Sequence, residues 1–137
     1  MVGAVIVTHG LLARELLDAA ERIVGRTEAI RAVSMDWDDD VADARQEIQA
    51  AINEVDAGAG VLIFTDMFGG TPTNVSLAFL AKDQVEIITG VNLPMIIKLT
   101  SVQNSDASLL DIAQDLRERG QTSIYVASEI LSSRQEA

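Results

Sequence analysis

Short apolar runs alternate with amphipathic helix patterns along nearly the whole chain, and this alternation restricts the fold more than any other feature. Val2-Gly3-Ala4-Val5-Ile6-Val7-Thr8 reads as a first strand, 2–8. Leu12, Leu16, Ala20, Ile23 and Val24 then recur at helical spacing, with Arg14, Glu15, Asp18, Glu21 and Arg22 on the opposite side. Gly25 is placed to stop that helix. Residues 28–35 have the composition of an edge strand, with Arg31 and Ser34 inside it. In the acidic stretch 36–40, Asp38, Asp39 or Asp40 can cap a second helix, whose stripe is Val41, Ala44, Ile48, Ile52 and Val55.

Gly58 and Gly60 interrupt the pattern before Val61-Leu62-Ile63-Phe64, a run suited to the buried interior of a parallel sheet. Residues 72–81 form a short helix pattern, and Val85 to Ile88 a fourth strand ending at Thr89-Gly90. Asn92 and Pro94 suit a helix start. Ser108 and Asp111 have capping-box spacing at another, which Gly120 is placed to end. Ser123–Ala127 reads as a last strand, added at a sheet edge or paired with another chain. Strand–helix alternation with short connections predicts a three-layer α/β fold: one open, mainly parallel sheet with helices on both faces. At this length residues 1–137 are expected to form a single domain.

Ten basic residues against 21 acidic ones give a formal charge of -11, which disfavours nucleic acid and anionic membranes as partners. The absence of Cys excludes disulfides, thiolate catalysis and Cys-ligated zinc. No apolar stretch approaches the length of a membrane span, and the chain reads as soluble and cytoplasmic.

His9, the only histidine, falls at the end of the first strand and is followed by Gly10 and a helix. Open α/β sheets place their chemistry at such carboxyl ends. Thr65-Asp66 and Gly69-Gly70-Thr71-Pro72-Thr73-Asn74 form a second polar cluster at the end of the most hydrophobic strand, which suggests one shared site. First-turn amides of a helix have no intrahelical partners and attract an anion, so a phosphoryl group on His9 would be held there, with help from Thr8 or Thr71. A carboxylate bonded to one ring nitrogen fixes the tautomer and leaves the other nitrogen nucleophilic. Asp66 is the candidate for that task if its strand lies beside the first.

Other chemistries have less support. The glycines are not followed by a Lys, as a Walker A loop requires, and Gly-x-Gly-x-x-Gly is absent. One His without Cys makes a metal site improbable, and the Asp36–Asp40 run lacks the glycine and terminal Glu of a calcium loop. Ser76 is not in a nucleophile elbow. Trp37, the sole tryptophan, reads either as a partner contact or lid or as a half-buried packing residue.

Taken together, Ile6-Val7-Thr8-His9-Gly10, Leu62 through Asn74, and Ile88-Thr89-Gly90-Val91-Asn92-Leu93-Pro94-Met95 resemble the mannose-family EIIA domain of the bacterial phosphoenolpyruvate-dependent sugar phosphotransferase system. The resemblance implies a homodimer, often with an exchanged C-terminal strand. It implies that His9 accepts a phosphoryl group from the histidine-containing phosphocarrier protein and passes it to a histidine of an EIIB domain, without metal, nucleotide or other cofactor. Asp66 would then bond the active imidazole. Thr8, Gly10, Gly69, Gly70, Thr71 and Asn92 would line the site, with Phe68 as an apolar lid where relatives often carry Trp. The alternative is a regulatory module whose protein contacts depend on phosphorylation of His9.

Overall fold

The computed structural model describes residues 1–38 and 40–136. Four parallel strands, β1 (Gly3–His9), β2 (Ile30–Met35), β3 (Val61–Thr65) and β4 (Val85–Ile88), lie in the order β2-β1-β3-β4. The chain therefore leaves β1 towards one edge and returns through β3 on its other side. That reversal puts the topological switch point between β1 and β3, where an open sheet leaves a crevice at its carboxyl end. In the register, Val7 lies opposite Thr65 and His9 opposite Met35.

Alternation along the central strands builds two cores. Ala4, Ile6, Leu62 and Phe64 face one side with residues of α1 (Leu12–Val24), α4 (Leu93–Val102) and α5 (Leu109–Thr122). Val5, Val7, Val61 and Ile63 face the other, against α2 (Val41–Val55) and Val75 of α3 (Gly70–Ser76). Ile6, Val7, Leu62, Ile63 and Phe64 are fully buried, so the expected covering of both faces is present. Each of these side chains contributes about 1.5–3 kcal/mol relative to exposure.

Helix starts follow the expected signals. Asp40 accepts a hydrogen bond from the Ala42 amide, Asn92 from Met95 and Ser108 from Asp111. Asp39 lies outside the described residues. Gly25 follows α1 directly with φ +92°, a conformation that favours glycine, and its amide donates to the Glu21 carbonyl. The 72–81 helix pattern is realised as α3 and a 3₁₀ turn, Leu77–Phe79.

Two expectations fail. Gly120 does not end α5, which runs on to Thr122. It is needed for packing: a Cβ there would meet Met95 Cε at 2.6 Å and Asn92 Oδ1 at 3.4 Å. Nor does Ser123–Ala127 form a strand among the described residues. The Ser123 amide and hydroxyl donate to the Arg119 carbonyl, and the Val126 carbonyl accepts from Glu129 at the start of α6 (Ala127–Glu136). Helix ends thus take backbone groups that a ladder would use. Ile124, Tyr125 and Val126 are left 73%, 67% and 58% exposed.

Candidate functional site

His9 ends β1 and Asp66 immediately follows β3, its neighbour in the sheet. One carboxylate oxygen, Asp66 Oδ2, accepts from the His9 ring at Nδ1 (2.7 Å) and from the His9 main-chain amide (3.1 Å). Burial pushes the Asp66 carboxyl up. The ring and main-chain hydrogen bonds from His9, together with its coulombic attraction, outweigh this and hold it below its ordinary value. An ionised carboxylate can only accept, so Nδ1 carries the hydrogen and a neutral ring presents its lone pair at Nε2. Asp66 Oδ1 is buried without a hydrogen-bond partner among the described residues, so Oδ2 alone makes the link to His9.

Gly70, the first residue of α3, faces the Cε1–Nε2 edge of the ring. A Cβ at Gly70 would lie 3.2 Å from His9 Cε1 and 3.3 Å from Nε2, and its φ of +76° independently favours glycine. The loop carrying Asp66 is anchored beneath by hydroxyls. Thr73 donates to the Met67 carbonyl (2.6 Å), which leaves Thr65 to donate to Thr73 (2.8 Å).

The anion-favouring helix start nearest Nε2 is consequently that of α3, with Gly70 and Thr71. Both line a cleft shared with His9, Met35, Asp36 and Trp37. Gly69 precedes α3 as its N-cap residue, and the Gly10 amide donates to Met35 (2.9 Å), tying the end of β1 to β2.

Two expected lining residues have other tasks. Thr8 is fully buried, with its hydroxyl accepting from the Ala13 amide (2.7 Å) and donating to the His9 carbonyl. It braces the start of α1 beneath the histidine. The Asn92 side chain is divided between the Met95 amide and the Gly120 carbonyl (3.0 Å), joining α4 to α5. Phe68 stands 80% exposed, two residues after Asp66.

Trp37 departs from the packing alternative. It is 80% exposed, and its ring stacks on His9 with centroids 5.0 Å apart and planes inclined by 25°. The signal that locates it is the adjacency of β2 and β1: their ends are level, so the residues just after Met35 arrive beside His9. Among the described residues, no group of three or more His, Asp or Glu could hold a metal ion. No helix among them is long and apolar enough to cross a membrane.

A histidine at a sheet switch point, bonded through Nδ1 to a neighbouring strand's carboxylate and lining a cleft, is an arrangement suited to nucleophilic chemistry at imidazole. Residues 3–116 match the EIIA-man family model, described as the PTS (phosphotransferase system) fructose IIA component. The fructose-specific EIIA component of Bacillus subtilis (strain 168) is 30% identical over 132 residues, which cover 96% of this chain and 90% of that protein. The mannose-specific EIIAB component of Escherichia coli (strain K12) is 27% identical over 124 residues, 90% of this chain but 38% of that longer protein. Among solved structures, the PTS IIA protein associated with the fucose utilization operon of Streptococcus pneumoniae superposes with a TM-score of 0.82 at 29% identity, covering 95% and 96% of the two chains.

The chain belongs to this EIIA family. It is an EIIA-type phosphotransferase domain, of a class that moves phosphoryl groups through a histidine within the phosphotransferase system and its phosphocarrier and EIIB components. The relatives include fructose, mannose and sorbose components, so the match establishes the general family and not its mannose branch alone.

Proposed function

We propose that His9 is the phosphoryl carrier of a mannose-type EIIA domain, accepting from the histidine-containing phosphocarrier protein and donating to a separate EIIB protein during sugar uptake in the cytoplasm. The observation that carries this reading is the 2.7 Å bond from Nδ1 to Asp66, which leaves Nε2 as the nucleophile beside Gly70. The Nε2 lone pair attacks the phosphorus of the donor's phosphohistidine. An Nε2–P bond forms as the donor's P–N bond breaks, and that electron pair returns to the donor imidazole. Transfer to the acceptor repeats the exchange with His9 as leaving group. Asp66 stabilises the positive charge that develops on the His9 ring, and the Gly70–Thr71 helix start favours the anionic group in flight.

The supporting experiment supplies phosphoenolpyruvate, the general phosphotransfer enzyme and the phosphocarrier protein, with intact mass followed over time. An acid-labile gain of one phosphoryl group in the wild type and none in His9→Ala is expected. A gain that persists in His9→Ala refutes the assignment.

Leu11, Trp37 and Phe68, exposed near His9 in sequence or space, favour a second reading. Exposed apolar side chains of this kind suit a regulatory partner that distinguishes the free from the phosphorylated site. Adding an EIIB protein separates the two: loss of the label to EIIB supports transport, and retention supports regulation.

A further inference from the structure

We infer that Trp37 is a positioning residue for phosphoryl transfer, setting the side from which a partner's imidazole reaches His9. The inference rests on the reading of His9 as phosphoryl carrier. The ring is held at two places: Nδ1 is bonded to Asp66 and one face is stacked by the indole, while its Cε1–Nε2 edge faces the space that a Cβ at Gly70 would occupy. Asp66 defines which nitrogen is free, but one hydrogen bond leaves the imidazole able to rock about its Nδ1 axis. An aromatic ring at 5.0 Å and 25° opposes that rocking, as a stacked pair loses contact when either plane tilts.

In-line transfer requires the two nitrogens and phosphorus to be nearly collinear, so the orientation of the ring plane enters the barrier directly. The covered face also excludes approach from the β2 side and limits water access to a phosphoryl group on Nε2. Trp37 can serve in this way because it is anchored from behind. Met35, two residues earlier, is buried at the end of β2, and its carbonyl receives the Gly10 amide. Trp37 as a whole residue remains 80% exposed, and its stack on His9 is the ring contact the structure gives it.

A docking role and a positioning role make different kinetic predictions. A pure docking residue changes the concentration dependence of transfer, whereas a positioning residue changes the rate at saturation. Phosphorylation of the full chain is therefore measured against phosphocarrier concentration for wild type, Trp37→Ala and Trp37→Phe. The expectation for Trp37→Ala is a fall in kcat of about tenfold or more with KM changed less than about twofold, and near wild-type kcat in Trp37→Phe, which retains a stacking ring. Circular dichroism confirms that each variant is folded. A raised KM with unchanged kcat, or wild-type kinetics in Trp37→Ala, overturns the positioning role. A wild type that takes up no phosphoryl group overturns the carrier reading itself, and the two failures are thereby distinguished.

Discussion

Asp66 gives one oxygen two tasks, holding the imidazole and the main chain of the same residue. Replacing it with Asn leaves one oxygen that can still accept both hydrogens but removes the charge that favours an imidazolium in transit. Transfer by Asp66→Asn is expected to slow by about 10²–10⁴-fold, the range spanned by general acid–base contributions. Stability carries a second signature. Because the folded-state pKa of Asp66 lies below its unfolded value, its carboxylate stabilises the fold above the unfolded pKa. That contribution is lost as pH falls through the folded pKa. Urea unfolding of wild type and Asp66→Asn should show the largest gap near neutrality, closing in acid; a gap independent of pH contradicts the stabilising link.

The pairing itself was legible from residue type and strand-end position. What Thr8, Asn92 and Trp37 do was not, because sequence spacing places a residue without aiming its side chain. Thr8 alternates inward along β1, Asn92 is consumed by a helix cap, and Trp37 depends on the level ends of two strands.

At the scale of elements, the site depends on how closely α2 settles on the sheet. A Cβ at Gly3 would run into the Val55 carbonyl oxygen and lie 2.8 Å from the Val55 carbonyl carbon and Cγ2. Backbone would have to move, since no flexible side chain can yield there. Gly3→Ala is expected to destabilise the protein by about 1–3 kcal/mol, the usual range for overpacking. A lowered denaturation midpoint with unchanged slope would check it, and an unchanged midpoint would contradict the close approach. The four parallel strands and the helix starts were legible because periodicity and capping are local signals. The end of α5 was not: Gly120 reads as punctuation in sequence, whereas its use is to admit Met95 from α4. Ile124-Tyr125-Val126 has strand-like composition, but in this chain its neighbours are two helix ends.

For the whole molecule, those three exposed side chains are the place to look for self-association. A contiguous run of exposed β-branched and aromatic side chains is suited to burial against a second copy. If such a homodimer forms, Ile124→Asp combined with Tyr125→Asp should raise its dissociation constant at least about tenfold, equivalent to about 1.4 kcal/mol. Sedimentation equilibrium would read this directly, and an unaltered constant would remove the segment from the interface.

The stack of Trp37 on His9 has an optical consequence as well. This is the only indole in 137 residues, and it rests on the ring proposed to gain and lose the phosphoryl group. Emission excited selectively from tryptophan therefore comes from the site alone. The protein carries an intrinsic reporter beside its histidine, and events at that ring can be followed in real time without attaching a dye.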